Sequence, residues 1–569
     1  MQLLMTRLFA SIKWPLLICL SIAGIQGCKL DGMPGDRYTD AAIWKNAANV
    51  DLYIYGMYNE FKTFSFGEFP IGYSNATDAF TDIEKYTSNT VGNGTVNKIA
   101  YNPGQVSAAS PAVSYWNAGY ERIRRVNEFL NGLQQYAKVT DEQKVQYEAE
   151  ARFIRGYVYF WLARINGSVI LLDKLTTEKN NARASEDEVW NFIAKDLSFA
   201  AEHLPKQWPA AQKGRATKGA AYGLLARSWL YAASVADYDN KQFNKDALTG
   251  VPAAKKTEYY QHAADAAAAV IALANEGIYA LEDDYAKVFT NPASKEAVFA
   301  VYYQRTTVTH QFDFYFCPPA DVDGGGATGV PTAELVNEYE MADGRKFSWS
   351  ETAMAANPYD GREPRFYASI LYNGASWKGR TLNTTPDNEK EGYIDFKVAS
   401  DPRKTVTGYY LRKMLDETNT SILVLNSVQP WMEMRYAEVL LIHAEALTKL
   451  NRLDEAKTSL NKVRTRVHLP GTAAVTADAL MAAIEHERKV ELAFEGHRYW
   501  DLRRWRKAHI VLNNVRFHGH KVTANGSGFS YTEVDCDKEN RYFPTSFYYM
   551  PIPQEELVNN TAMKQIQGW

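Results

Sequence analysis

The stretch Ile484-Glu-His-Glu-Arg-Lys-Val-Glu-Leu-Ala-Phe-Glu-Gly-His-Arg-Tyr-Trp-Asp-Leu-Arg-Arg-Trp505 decides how the chain is read. Glu487, Glu491 and Glu495 recur at i, i+4, so on a helix they form one acidic row. Val490 and Phe494 make an apolar row beside it. Like charges at this spacing repel, so the row requires basic partners. Arg488, Arg498, Arg503 and Arg504 are at hand, and other helices can supply more. Gly496 interrupts the pattern and predicts a bend or a close approach of another backbone. Trp500 and Trp505 add large apolar faces. Two readings compete: a carboxylate-rich active site, and a charge-laced helix on which other helices dock. The second is favoured, because structural ion-pair networks also gather acids.

Outward from this stretch, helical periodicity fills two blocks. In the first, Phe153, Tyr157 and Trp161 share one face of a helix over 148–165. Ser185 and Glu188 form a capping box for the next helix, which Pro205 ends. Residues 217–234 are rich in Gly and Ala, which lets helices approach closely. Residues 259–274 are nearly an alanine helix, and 41–60 and 114–133 are further candidates. Trp161, Trp190 and Trp229 fall on helices and are expected in the core. The second block predicts helices over 431–450 and 453–467, followed by the opening stretch. Successive amphipathic helices with short turns resemble tetratricopeptide-type helix pairs, without a clean repeat period.

Between the blocks, 279–429 is rich in Gly, Pro, Asn and aromatics and poor in helical periodicity. Short strands are expected over 297–303 and 421–425. Residues 64–104 are irregular as well. The fold class is therefore mainly α: a tetratricopeptide-like helical-pair scaffold with an irregular, loop-rich insertion containing a few short strands. The expected organisation is a leader over 1–27, a tether over 28–40, scaffold over 41–278 with the irregular segment 64–104, the insertion over 279–429, and scaffold and tail over 430–569.

The first 27 residues read as an export signal. Arg7 and Lys13 precede a short apolar core. Ile25-Gln26-Gly27-Cys28 then resembles a bacterial lipobox, with cleavage before Cys28 and lipid on its thiol. Acyl chains contribute about 0.8 kcal/mol per buried CH₂, so a multiply acylated Cys28 anchors stably. Of the four cysteines, Cys19 lies in the leader and Cys28 at its end. Cys317 and Cys536 are left to the body, as one disulfide or two buried thiols.

A net charge of −3 makes no electrostatic case for nucleic acid or an anionic membrane surface. His486-Glu487 starts like a zinc-protease helix, but Val490 stands where the second His would be needed. Asp321-Val-Asp-Gly324 starts like a calcium loop, but Gly325 and Thr332 occupy ligand positions. The chain has no nucleophile elbow and no Walker-type phosphate loop. No cofactor or metal is expected and no enzyme reading has support.

Aromatics are plentiful, with 36 Tyr, 25 Phe and 13 Trp. A sugar offers an apolar C–H face and a rim of hydroxyls, which suits an aromatic platform with polar neighbours. Platforms belong on loops held by a rigid scaffold. The candidates are Tyr73 and Tyr86, then Phe312, Phe314 and Tyr315, then Trp349 and Trp377. Asn75, Asp78, Arg305 and Lys378 are candidate polar contacts. Trp377 leads, because Asn373-Gly-Ala-Ser-Trp-Lys-Gly379 is polar and glycine-rich, an unpromising place to bury an indole.

Several motifs together resemble the SusD/RagB family of outer-membrane lipoproteins of nutrient uptake in Bacteroidota. They are Glu121-Arg-Ile-Arg-Arg-Val-Asn127, Ala149-Glu-Ala-Arg-Phe-Ile-Arg155, Gly214-Arg-Ala-Thr-Lys-Gly-Ala-Ala221, Asp360-Gly-Arg-Glu-Pro-Arg-Phe366, Arg435-Tyr-Ala-Glu-Val-Leu-Leu441 and Tyr549-Met-Pro-Ile-Pro553, with the opening stretch. They run in family order along nearly the whole chain after the leader. The resemblance implies a helical scaffold carrying a ligand-binding insertion. It implies binding of a glycan, or less often a peptide, without turnover. It also implies a partner, a SusC-like TonB-dependent transporter, and a lipid-anchored place on the outer membrane facing the exterior. The alternatives are a peptide-binding member of the family and a surface glycoside hydrolase.

Overall fold

The structure, a computed structural model, describes residues 43–66, 77–87, 93–238, 246–396 and 403–569. The leader, the tether, Cys28, Tyr73 and Asn75 lie outside the described residues.

The scaffold begins with α1 (Ala47–Tyr58), α2 (Trp116–Tyr136), α3 (Asp141–Asn166), α4 (Glu186–His203), α5 (Lys218–Tyr238) and α6 (Lys256–Asn275). Two short helices follow, α7 (Phe312–Phe316) and α8 (Pro364–Ser369). The late helices are α9 (Tyr436–Lys449), α10 (Leu453–Arg466), α11 (Ala477–Glu491) and α12 (Arg498–Arg504). Capping boxes open α3 at Thr140–Gln143 and α4 at Ser185–Glu188. Each helix from α2 to α6 packs on the next, and α9 packs on α6 and α10. The two helical blocks are thus one continuous array, although some 160 residues separate α6 from α9 in sequence. Trp161, Trp190 and Trp229 are buried in it, as expected.

The strands are short: β1 (Glu84–Tyr86), β2 (Ala297–Val301), β3 (Gly329–Pro331), β4 (Ile370–Leu371), β5 (Ser376–Trp377), β6 (Arg380–Thr381), β7 (Tyr410–Leu411), β8 (Trp431–Arg435), β9 (His518–Asn525) and β10 (Gly528–Asp535). They pair antiparallel as β1–β3, β2–β8, β4–β7, β5–β6 and β9–β10.

Three expectations change. Residues 431–435 are strand, and the helix starts at Tyr436. Pairing with β2 overrides the helical pattern there, and Gly223 of α5 lets the Met434 sulfur sit where a Cβ would lie, 2.2 Å away. The strand expected over 421–425 does not form. Leu423, Val424 and Leu425 are instead exposed, at 61%, 46% and 58%. The β9–β10 hairpin was not anticipated, because its alternation is mostly polar. Cys317 and Cys536 are both free and buried.

In the opening stretch, α11 ends at Glu491. Phe494 (φ 65°) and Gly496 (φ 73°) then turn the chain through the left-handed region into α12. Glu495 is therefore off the helix, yet it rejoins Glu487 and Glu491 in one buried ion cluster.

Candidate functional site

The acidic row is not a reaction centre. Its partners come from elsewhere in the chain. Arg365 of α8 reaches Glu363 (2.6 Å), Glu487 (2.5 Å) and Glu491 (2.9 Å). Arg435 reaches Glu296 (2.7 Å), Glu491 (2.6 Å) and Glu495 (2.7 Å). Arg464 bridges Glu340 and Glu487, Arg466 bridges Glu296 and Glu491, and Lys413 holds Glu495 at 2.8 Å. Burial alone would raise the Glu491 pKa, but Arg466, Arg435 and Arg365 hold it well below the usual carboxylate range. The local arginines are used otherwise. Arg488 and Arg504 hold Asp501, Arg498 holds Asp82, and Arg503 donates to backbone carbonyls. Every carboxylate of the row is occupied by cations, which suits a lock and not a general acid or base.

The candidate binding surface forms where the irregular N-terminal segment meets the insertion. β1 pairs with β3 in the register Glu84↔Pro331, Lys85↔Val330 and Tyr86↔Gly329. Thr87 N–H continues the ladder to Thr328 O at 2.9 Å. This sets residues 84–87 beside β3, which packs against α7. Phe312 and Phe316, one helical turn apart, stack at 4.8 Å and are buried. Phe314 and Tyr315 are left half-buried, edge to face at 5.3 Å. Gly325 closes a turn against them. A Cβ there would lie 2.6 Å from Phe314 O and 3.0 Å from its ring, so this position needs Gly.

The floor under α7 is aromatic and polar. Phe66 stacks on His310 at 4.0 Å and meets Phe312 and Trp431. Burial pulls the His310 pKa down to about 3, so the ring is neutral. Its Nε2 donates to Gln429 O (3.1 Å), and its Nδ1 accepts from Phe312 N–H (3.3 Å). Asp313 is buried and accepts bonds from Asp416 N–H, Asn419 Nδ2, Ser427 Oγ and Gln429 Nε2. It ties α7 to the loop 413–429. Sequence reasoning missed Asp313, whose one signal is a lone acid inside the aromatic run FDFYF.

The candidate residues separate. Phe314 and Tyr315 come together as a partly open pair, and Arg305 is exposed on the turn where Gln304 bridges Val308. Tyr86 is buried at 4%. Asp78 is fully buried and accepts Gly496 N–H at 3.1 Å, and burial lifts its pKa to about 7. Trp349 donates to Asn337 (3.0 Å) and packs on Phe347, His520 and Tyr531, beside the β9–β10 hairpin.

Trp377 is the clearest correction, because its side chain is 0% exposed. It ends β5, and the two-residue turn Lys378-Gly379 (φ 46° and 76°) folds β6 back over it. The indole N–H donates to Asp321 at 2.6 Å, and Asp321 also holds Arg380 at 2.8 Å. A buried indole needs such a partner. The polar, glycine-rich sequence is the cover over Trp377 and not an opening to it. Lys378 donates to Asn419 O at 2.6 Å. Together they brace the loop after α7. Asp321 is engaged by Trp377 and Arg380, and the described residues hold no cluster of His, Cys, Asp and Glu suited to a metal ion.

A model described as the SusD family matches residues 295–569, and one described as starch-binding, associating with the outer membrane, matches residues 41–230. The chain belongs to the SusD/RagB family. A SusD-like protein of Bacteroides ovatus is 24% identical over 598 residues, covering 96% of this chain and 95% of its own. Among solved structures, a SusD-like protein of Bacteroides fragilis is 27% identical with a TM-score of 0.75, covering 94% of this chain and 100% of its own. A SusD-like carbohydrate-binding protein of the same species is 25% identical with a TM-score of 0.75, covering 92% and 100%. The family's tetratricopeptide-like helical fold is the fold seen here.

Proposed function

We propose that this protein binds an oligo- or polysaccharide at the outer membrane and passes it to a SusC-like TonB-dependent transporter. The half-open Phe314–Tyr315 pair carries the reading. It is a half-buried edge of a largely buried aromatic group, and it is pinned by the Asp313 network below and the Gly325 turn beside it. A rigid ring pair presents a C–H-binding face with little conformational entropy left to lose. The carbohydrate-binding relative of Bacteroides fragilis and the family's starch-binding description support a glycan as the ligand. Lipid on Cys28 would tether the body to the membrane, facing outward. The buried ion cluster leaves no free acid–base pair in the row Glu487, Glu491, Glu495, so the reading is capture without cleavage.

Native gels loaded with individual polysaccharides test this. Retarded migration on at least one glycan, with no reducing ends released, is the expected result. Steady release of reducing sugar would replace capture with hydrolysis.

A further inference from the structure

At the end of β2, consecutive tyrosines part company. Tyr303 meets Ser65 through its hydroxyl and His310 through its ring, on the side of the aromatic floor. Tyr302 instead faces the scaffold, where Lys213 Nζ lies 4.4 Å over its ring. A cleft opens there between α1, the loop before α5, and β2. It has two lobes of about 370 and 410 Å³ that share Lys213, Gly214, Arg215 and Tyr302. Each lobe is large enough for one or two sugar rings.

Its walls combine rings with cations. Tyr55 is 38% exposed, and Tyr302 and Trp208 are half-buried. Arg215 sits 4.0 Å from the Trp208 ring and 5.3 Å from Tyr55, and Trp208 Nε1 donates to Ala216 O at 2.7 Å, so these rings are held in place. Gly214, at φ 98°, makes the turn that presents Lys213 and Arg215 on one wall. The lining contains Lys62, Lys206, Lys213, Lys295 and Arg215 and, among the described residues, no carboxylate. Arg215 is matched by Glu150 and Asp51 behind it, and Lys206 by Glu276. Lys213 and Lys295 meet backbone carbonyls, Pro292 O and Gly277 O. The cleft therefore keeps a surplus of positive charge in a chain whose net charge is −3. A concave wall of one sign focuses its field on an entering anion.

We propose that this cleft is a second saccharide site, selective for sugars that carry a carboxylate or a sulfate. Tyr302 and Tyr55 would take the C–H faces, and Lys213 the anionic group. The proposal extends the glycan-binding reading to a site on the other side of β2 from Phe314 and Tyr315.

Calorimetric titration with digalacturonate, with its uncharged methyl ester and with a sulfated galactose disaccharide tests it on the purified protein. Digalacturonate or the sulfated sugar should bind, and the methyl ester should bind at least about tenfold more weakly, the size expected for one charge-assisted hydrogen bond. Lys213→Ala and Tyr302→Ala should each weaken the anionic probe about tenfold, and Lys213→Gln nearly as much, with helical circular dichroism unchanged. A Phe314→Ala/Tyr315→Ala variant should leave anionic binding intact. No binding of either anionic probe, equal binding of the methyl ester, or loss in the Phe314/Tyr315 variant alone would overturn the proposal. Retardation on neutral polysaccharide in the same variants reads the first site separately. Lys213→Ala should not change it.

Discussion

Arg365 and Glu491 lie 126 residues apart in sequence and 2.9 Å apart in space, both with fully buried side chains. Arg365 belongs to α8, in the loop-rich stretch between the helical blocks, and Glu491 ends α11. The pair fastens α8 and the loop-rich stretch around it to the helical array. Six acids (Glu296, Glu340, Glu363, Glu487, Glu491, Glu495) and five bases (Lys413, Arg365, Arg435, Arg464, Arg466) share the cluster.

Glu491→Ala strands three arginines without their shared acceptor. Breaking a buried pair in this way costs roughly 3–5 kcal/mol. Urea unfolding should show a loss of that order, while glycan affinity of the folded fraction stays within about twofold of wild type. A stable variant that no longer binds would make the cluster part of the ligand site.

Acid should weaken the fold through the same cluster. Glu491 and Glu495 have depressed pKa values in the folded state, and outside the cluster Glu438, where Arg227 outweighs the cost of burial, is held at about 2. Their stabilisation is complete above the unfolded carboxylate pKa of about 4.3 and is lost as pH falls through the folded values. The urea midpoint should therefore drop steeply below about pH 4. A flat profile from pH 6 to pH 3 would argue against a charged cluster.

Asp78 has the opposite sign. Burial raises its folded pKa to about 7. The folded state then holds the proton more tightly than the unfolded one, and stability from this group falls as pH rises from about 4 to about 7. Asp78→Asn keeps an acceptor for Gly496 N–H and removes the charge. The variant should gain on wild type as pH rises, by on the order of 2–4 kcal/mol at pH 8. An advantage that does not change with pH would show that Asp78 has the same pKa folded and unfolded, so that burial does not raise it.

Trp377 separates brace from platform. Trp377→Ala empties a filled site and should cost about 3–5 kcal/mol. Trp377→Phe keeps most of the volume but removes the bond to Asp321, for about 1–3 kcal/mol. Thermal unfolding reads both. A Trp377→Ala variant as stable as wild type but unable to bind would return the indole to the ligand face.

Phe314→Ala and Tyr315→Ala should behave in reverse. Each removes a half-buried ring, so glycan affinity should fall about tenfold per ring, with stability changed by less than about 1 kcal/mol. Calorimetry with the glycan found in the native-gel screen measures it. Unchanged affinity in both would move the platform elsewhere. Separately, Cys28→Ala should release the protein from the membrane fraction, and retention without a partner would remove the lipid anchor.

Much of the scaffold is legible along the chain. The periodicity of 148–165, the Ser185–Glu188 box and the small-residue run after Lys218 each depend on neighbours within four positions, and each forms the expected helix. Residues 431–435 failed because a remote strand, β2, competed for them. The candidate site was legible only as residue types on irregular segments, where the rings of Phe314 and Tyr315 meet edge to face. Asp313 was not legible, because its partners lie more than a hundred residues away.

For the stretch from Ile484 to Trp505, the sequence alone determined a helix carrying Glu487 and Glu491, a bend at Gly496 and a need for cations. Only the tertiary structure decided which cations. Arg365, Arg435, Arg464, Arg466 and Lys413 answer the row, while the neighbouring arginines serve Asp82, Asp501 and Glu445. The reason is one of range. Helix spacing is set by contacts within one turn of chain. The pairing of a buried charge, like the burial of Trp377, is set by whatever the fold brings within 3 Å of it.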